Sequence, residues 1–236
     1  MPINIFNDYT VNMRLPFTKF GLPQVVVYPL IVLALMLFFF IFLKPKPVLI
    51  PTEIALFLVF LWMLSFFRDP VRNIKQDELT LFSPADGTVT DISYVDNSVL
   101  GGGAVRIGIF LSIFNVHINR APCSVSIESV VYKKGKFKNA LSGESGLINE
   151  SNDIVMQRLN EPKEKLIVRQ ISGAIARHIV CEAGENAEYH QGEQFGMIKF
   201  GSRTELYFPA ADNFKVTVEV GSKVQAGLSP LVRIKP

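Results

Sequence analysis

A mainly β domain of short antiparallel strands, arranged as a sandwich or open barrel behind a helical membrane hairpin, is what the residue pattern of this chain dictates. Three observations carry that reading. Two long apolar runs occupy the first third of the 236 residues. Strand-like runs with period-two stretches, punctuated by Gly and Asx turns, fill the rest. No long amphipathic helix separates those runs, which disfavours a parallel sheet with crossover helices.

The apolar runs come first. Residues 23–43 form 21 positions without a charge, and residues 48–67 form 20 positions with one, Glu53. At about 1.5 Å per residue each can span a hydrocarbon core of about 30 Å. A soluble core helix would alternate apolar and polar faces, and these runs do not. The first run begins late and lacks a small-residue cleavage pattern, so a cleaved signal peptide is not expected. The connection Lys44-Pro45-Lys46-Pro47 implies a tight hairpin. A hairpin lying in one leaflet, broken by Pro29, Pro45, Pro47 and Pro51, is the alternative to a spanning one. The basic flanks set its orientation. Arg14, Lys19, Arg68, Arg72 and Lys75 lie on one side and only Lys44 and Lys46 on the other, which favours both termini inside. The expected location is the cell (inner) membrane, with the domain facing the cytoplasm.

The strand-like runs follow from residue 68 onwards. They are 87–95, 104–114, 124–133, 165–171, 205–209 and 214–220, rich in Val, Ile, Thr and aromatics. Turns fall at Asp96-Asn97, Gly101-Gly102-Gly103, Gly135, Gly184, Gly192 and Gly221. Residues 172–182 read as a short helix or a strand. The domain limits are therefore 1–67 for the hairpin and 68–236 for the β domain.

Charge excludes one class of partner. The net charge is +3, but four of the 24 basic and two of the 21 acidic residues precede Arg68, leaving 20 and 19 in the β domain. A near-neutral domain has no bulk excess for a polyanion, so nucleic acid is not an expected partner. Two cysteines, Cys123 and Cys181, exclude a disulfide scaffold and a zinc ribbon, and both read as small buried residues in a reducing compartment. The three histidines, His117, His178 and His190, show no metal-ligand spacing, so no metal is expected. Neither GxGxxG nor a P-loop is present.

Three segments remain: SPADG (83–87), FNVHINRAP (114–122) and FGSRTELYFP (200–209). Singly they read as a turn, a structural histidine among strand residues and another turn. Together with FFRDPVR (66–72), GKFKNA (135–140) and GEQFGMIKFGSR (192–203), in this order, they resemble the phosphatidylserine decarboxylase family, in its short pyruvoyl-dependent prokaryotic form. The resemblance covers about residues 66–236. Its β domain is expected to be a biotinyl/lipoyl-like hybrid.

The resemblance implies a proenzyme that cuts itself at Gly201-Ser202, giving a β chain, 1–201, and an α chain, 202–236, held as a heterodimer. Ser202 becomes an N-terminal pyruvoyl group, the covalent cofactor. That group forms a Schiff base with the amine of phosphatidylserine and accepts the electrons released as CO₂ leaves, yielding phosphatidylethanolamine. It also implies His117 as the base that activates Ser202 and Asp86 as the carboxylate that orients the base. The residue types suit this. A serine hydroxyl is a weak nucleophile without a base, and the base needs a third group to orient it. A residue without Cβ tolerates a strained scissile geometry. The block departs from the HxxH pair of longer relatives, because Arg120 stands where the second histidine would be. Arginine is a poor base but can hold a phosphate or carboxylate, so Arg120 is a candidate for the substrate headgroup or a structural residue. His178 is likewise structural or phosphate-contacting, and His190 reads as exposed and inert. Lys133, Lys134, Lys136 and Lys138 around Phe137 read as a solvated hairpin tip or a loop meeting anionic lipid headgroups.

Two alternatives remain open at this stage. One is a decarboxylase of a related serine-headgroup lipid such as archaetidylserine. The other is a catalytically silent biotinyl/lipoyl-like binding module held at the membrane, which lacks an obvious carrier lysine here. A higher oligomer is possible on either reading.

Overall fold

The structure is a computed structural model, and it describes residues 16–136, 148–173, 179–199 and 201–235. The lysine-rich tip beyond Lys136 and the candidate His178 lie outside the described residues.

Two helices, α1 (Leu22–Phe42) and α2 (Lys46–Phe66), form the expected hairpin. Both are 21 residues long and apolar all round, with large side chains such as Leu37, Phe40, Leu58 and Leu61 exposed. Each is long and apolar enough to cross a membrane. Pro45 caps α2, and Pro47 sits in its first turn, where a missing N–H costs nothing. The foot of the hairpin is stitched to the β domain. Thr18 N donates to the Phe67 carbonyl (2.9 Å) and Asp69 N to that of Pro16 (2.7 Å).

The β domain follows as β1 (Thr80–Phe82), β2 (Gly87–Asn97), β3 (Gly102–Leu111), β4 (Ile118–Arg120), β5 (Val125–Lys133), β6 (Ser151–Arg158) and β7 (Lys165–Ile171). It continues with β8 (Ile179–Cys181), β9 (Glu188–Tyr189), β10 (Gln194–Ile198), β11 (Ser202–Pro209), β12 (Phe214–Val216), β13 (Lys223–Val224) and β14 (Pro230–Ile234). All strand pairs among the described residues are antiparallel. One sheet has eight strands in the order β13-β2-β3-β11-β7-β6-β5-β9, and two three-stranded sheets have the orders β1-β14-β12 and β4-β10-β8. The main core lies among Leu81, Ile107, Ile109, Ile127, Leu166, Val168, Phe195, Leu206 and Phe208.

The run expected at 104–114 ends as a strand at Leu111, and residues 112–117 turn off the sheet instead. The Ser112 and Asn115 side chains explain this. Asn115 Oδ1 accepts from Ser112 N (2.9 Å), and Ser112 Oγ accepts from Phe114 N (3.3 Å), so local side-chain bonds replace the ladder. The ambiguous 172–182 segment contains a strand, β8, and its residues 174–178 lie outside the described ones. The run expected at 205–209 is longer than its apolar part, because β11 begins at Ser202. It is a central strand, paired with β3 along its whole length and with β7 from Arg203 to Tyr207.

Candidate active site

Gly201 and Ser202 sit where the chain enters β11. Gly201 has φ = +64°, a left-handed conformation that favours glycine. Space is not the constraint, since an added Cβ would meet only Ile113 Cγ2, at 3.6 Å. Ser202 is fully buried, and its Oγ has no hydrogen-bond partner among the described residues. Buried hydroxyls are usually bonded, and those of Ser93 and Ser172 share this state, so what distinguishes Ser202 is its place beside Gly201 and His117.

His117 lies beside it. The ladder between β4 and β10 brings His117 against Ile198, whose N donates to the His117 carbonyl (3.2 Å). Its Nδ1 faces the Asn115 carbonyl (2.9 Å), and Gly201 N–H points at Nε2 (3.3 Å). Those partners require the neutral tautomer with the proton on Nδ1 and a lone pair on Nε2. Burial pushes the imidazole down from 6.5 to about 4; the Asn115 carbonyl and the Asp86 charge oppose the fall, and the Arg68 charge adds to it. The ring of Phe66, the last residue of α2, packs on the imidazole with centroids 4.4 Å apart. The apolar cluster at the hairpin foot (Phe20, Phe66, Phe67, Val116, Ile118 and Met197) thus forms one wall of the site.

Asp86 is close enough for its charge to act on His117, but its hydrogen bonds go elsewhere. Arg72 grips it with both Nη atoms, each at 2.7 Å, and Ala226 N donates to Oδ1 (2.8 Å). The hydrogen-bonding orienter of His117 is the Asn115 carbonyl. Arg120 is buried, with Nη1 on the Gly192 carbonyl (2.9 Å) and Nη2 by Asp69 (3.3 Å), which Gln194 also contacts (3.0 Å). Asn119 extends the polar patch, donating to Thr204 Oγ1 (3.0 Å) and accepting from Gln170 Nε2 (2.9 Å). Lys199, two residues before Gly201, is buried without an ion-pair partner among the described residues, and burial lowers its ammonium. His190 backbone N bonds Glu193 (2.9 Å) at the surface, away from these groups.

The geometry joins His117 and Gly201 directly, sets Ser202 next to them, and holds Asp86 at electrostatic range. Sequence reasoning missed Arg72, Asn115 and Phe66. Arg72 and Phe66 lie within FFRDPVR, the first of the blocks already singled out, so that block was the available signal. No residue type marks Asn115, because its carbonyl is what acts.

What the arrangement can do chemically is set by three groups. A dry, unpartnered hydroxyl, a neutral buried imidazole and a glycine in a left-handed turn together suit attack of a side chain on its own backbone. Comparison with known proteins identifies the family. The sequence profile described as phosphatidylserine decarboxylase matches residues 59–231. A phosphatidylserine decarboxylase proenzyme of Carboxydothermus hydrogenoformans is 44% identical over 183 residues, covering 77% of this chain and 84% of that one. Its counterpart in Rhodopirellula baltica is 40% identical over 219 residues, covering 93% and 88%. That of Pelagibacter ubique is 41% identical over 177 residues, covering 73% and 80%. With the profile spanning most of the chain and relatives this similar, the chain belongs to the phosphatidylserine decarboxylase family.

Proposed function

We propose that this chain is a phosphatidylserine decarboxylase proenzyme that matures by cutting itself between Gly201 and Ser202. The observation that carries the reading is the buried, unpartnered Ser202 Oγ next to a left-handed Gly201 whose N–H meets a neutral His117.

In the proposed maturation, Ser202 Oγ attacks the Gly201 carbonyl carbon. Once the Gly201 N–H moves off its lone pair, His117 Nε2 takes the hydroxyl proton and returns it to the departing Ser202 nitrogen, so the amide becomes an ester and a free amine. Nε2 is suited to this because burial keeps it unprotonated and the Asn115 carbonyl holds the proton on the other nitrogen. As the imidazolium forms, the Asp86 charge stabilises it across space, while Arg72 and Ala226 N fix that carboxylate. Loss of the Ser202 α-proton then breaks the Cβ–Oγ bond, freeing the Gly201 carboxylate. The dehydroalanine left behind isomerises and, taking up water, releases ammonia to give a pyruvoyl group. The apolar ring of Phe66, packed on His117, leaves such a group beside an apolar wall.

Once formed, the pyruvoyl group supplies a keto carbonyl that takes up the substrate amine and the electrons released with CO₂. Around it, His117 Nε2 is the atom that can hold or deliver a proton, and Phe66 excludes water. The hairpin, residues 1–67, holds domain 68–236 at the inner membrane with the site on the cytoplasmic side. The two chains remain together as a heterodimer acting on phosphatidylserine.

Intact-mass analysis of the purified full-length chain tests this. The expected result is a C-terminal fragment of 35 residues, 202–236, unreactive toward amine reagents at its N-terminus. Ser202→Ala should give only the uncut 236-residue mass and no CO₂ release. A wild-type chain that is active yet uncut would overturn the reading.

A further inference from the structure

A cleft of about 600 Å³ opens between the 112–115 turn, the start of β2 and β13, within the size range of small-ligand sites. Its walls include Arg68, Asp86, Thr88, Ser112, Asn115 and Lys223. Three of these abut the reactive groups. The Asn115 carbonyl holds His117, Asp86 acts on His117 through its charge, and Ser112 follows Leu111, which pairs with Ser202 in the ladder.

The cleft is cationic. Its one carboxylate, Asp86, is paired with Arg72, which leaves Arg68 and Lys223 as a net excess of two positive charges. Lys223 is exposed and has no ion-pair partner among the described residues. Arg68 donates to the carbonyls of Ser65 (2.7 Å) and Phe114 (2.8 Å) and to Ser65 Oγ (3.0 Å). Those neutral acceptors orient the guanidinium without cancelling its charge. Arg120, by contrast, is already paired with the Asp69 carboxylate. The cleft's depth also fits. Arg68 is two residues past the end of α2, where a spanning helix leaves the hydrocarbon and phospholipid phosphates lie. Phe114, 70% exposed on the adjoining turn, offers that layer an aromatic side chain.

We propose that this cleft binds the phosphodiester of the substrate headgroup, with Arg68 and Lys223 as its two cations. The inference rests on the decarboxylase reading above and names the part of that site which holds the anion.

The test uses the full-length, self-processed enzyme in zwitterionic micelles, with the variants Lys223→Gln, Lys223→Glu, Arg68→Gln and Arg68→Lys. Every variant is first checked for the 35-residue fragment. Lys223→Gln should cleave fully and raise KM for phosphatidylserine about tenfold with kcat within about twofold, the loss of one charge-assisted contact. Lys223→Glu should raise KM further. Arg68→Lys should recover most of what Arg68→Gln loses; if Arg68→Gln fails to fold, the exposed Lys223 decides alone. Soluble glycerophospho-L-serine should compete with the lipid in wild type and about tenfold more weakly in Lys223→Gln. Inorganic phosphate should compete less well than glycerophospho-L-serine, and equal potency of the two would mark a free-phosphate site and overturn the headgroup assignment. Unchanged KM in cleaved Lys223→Gln and Lys223→Glu overturns the cleft but leaves the self-cleaving enzyme standing. That enzyme falls only if wild type yields no fragment.

Discussion

The two faces of β11 are equally buried and oppositely finished. On one, Ser202 is left without a partner, Thr204 bonds Asn119, and Leu206 and Phe208 enter the core. On the other, Arg203, Glu205 and Tyr207 are saturated. Arg203 reaches Glu205 (2.8 Å), Thr90 (2.6 Å) and Asp91 (2.5 Å), while Tyr207 donates to Glu205 (2.6 Å) and Arg169 to Tyr207 (3.1 Å). A bulge in β2 makes this possible, because the extra residue Thr90 lets it and Asp91 both reach Arg203. Gly108 on β3 leaves room, since a Cβ there would collide with the Arg203 guanidinium. One strand thus separates two needs by simple alternation. Reactivity requires a hydroxyl that nothing satisfies, and register requires neighbours that satisfy everything.

The largest expected effect breaks the saturated face. Glu205→Ala leaves the fully buried Arg203 short of a carboxylate and should cost about 3–5 kcal/mol, lowering Tm on the order of 10 °C by calorimetry. Ser202→Ala, on the unsatisfied face, should lose processing yet shift stability by less than about 1 kcal/mol. If Ser202→Ala were the more destabilising, the division between faces would fail.

His117 gives the next effect. Its folded value of about 4 lies below the 6.5 of the unfolded chain, so as pH falls through 6.5 the unfolded state binds the proton first. Stability is fully present above 6.5 and drops by about 3 kcal/mol in all as pH reaches 4. Urea midpoints against pH in the uncut Ser202→Ala background should show this slope, and adding His117→Gln should flatten it. Self-cleavage should hold its rate from pH 8 to about 5, because Nε2 remains neutral there.

Smaller effects sharpen the picture of the reactive face. Thr204→Val removes the acceptor of Asn119 Nδ2, which keeps only the longer bond to the Pro84 carbonyl (3.3 Å), and should cost about 1–2 kcal/mol in urea unfolding. Gly201→Ala should cost about 1 kcal/mol through its positive φ alone and slow cleavage without blocking folding. A loss of several kcal/mol would mean that space, rather than conformation, governs that turn.

Much of this was legible in residue order. Uninterrupted apolarity announced the hairpin, and period-two runs located most strands. Gly201, Ser202 and His117 read singly as a turn and a structural histidine, and only the family resemblance of the blocks that hold them marked them as candidates. The saturated face did not stand out. Polar residues at alternate strand positions, as in Arg203, Glu205 and Tyr207, ordinarily mark a solvent-facing side, and tertiary pairing with Asp91, Arg106 and Arg169 accompanies their burial here. The partners of Asp86 were hidden for a related reason. Arg72 is 14 residues away and Ala226 is 140, and nothing local signals either contact.

The placement of Ser202 at the head of a central strand has a thermodynamic consequence. Residues 202–235 supply β11 to the middle of the eight-stranded sheet, β13 to its edge, and β12 and β14 to a second sheet. In the uncut chain, unfolding is a property of one molecule. The proposed cut would make the same contacts an interface between two polypeptides, and recovery would then require two chains to find each other. Severing that one peptide bond would therefore give a native state that depends on concentration. A mature enzyme made in this way would hold together because it had been assembled while still one chain.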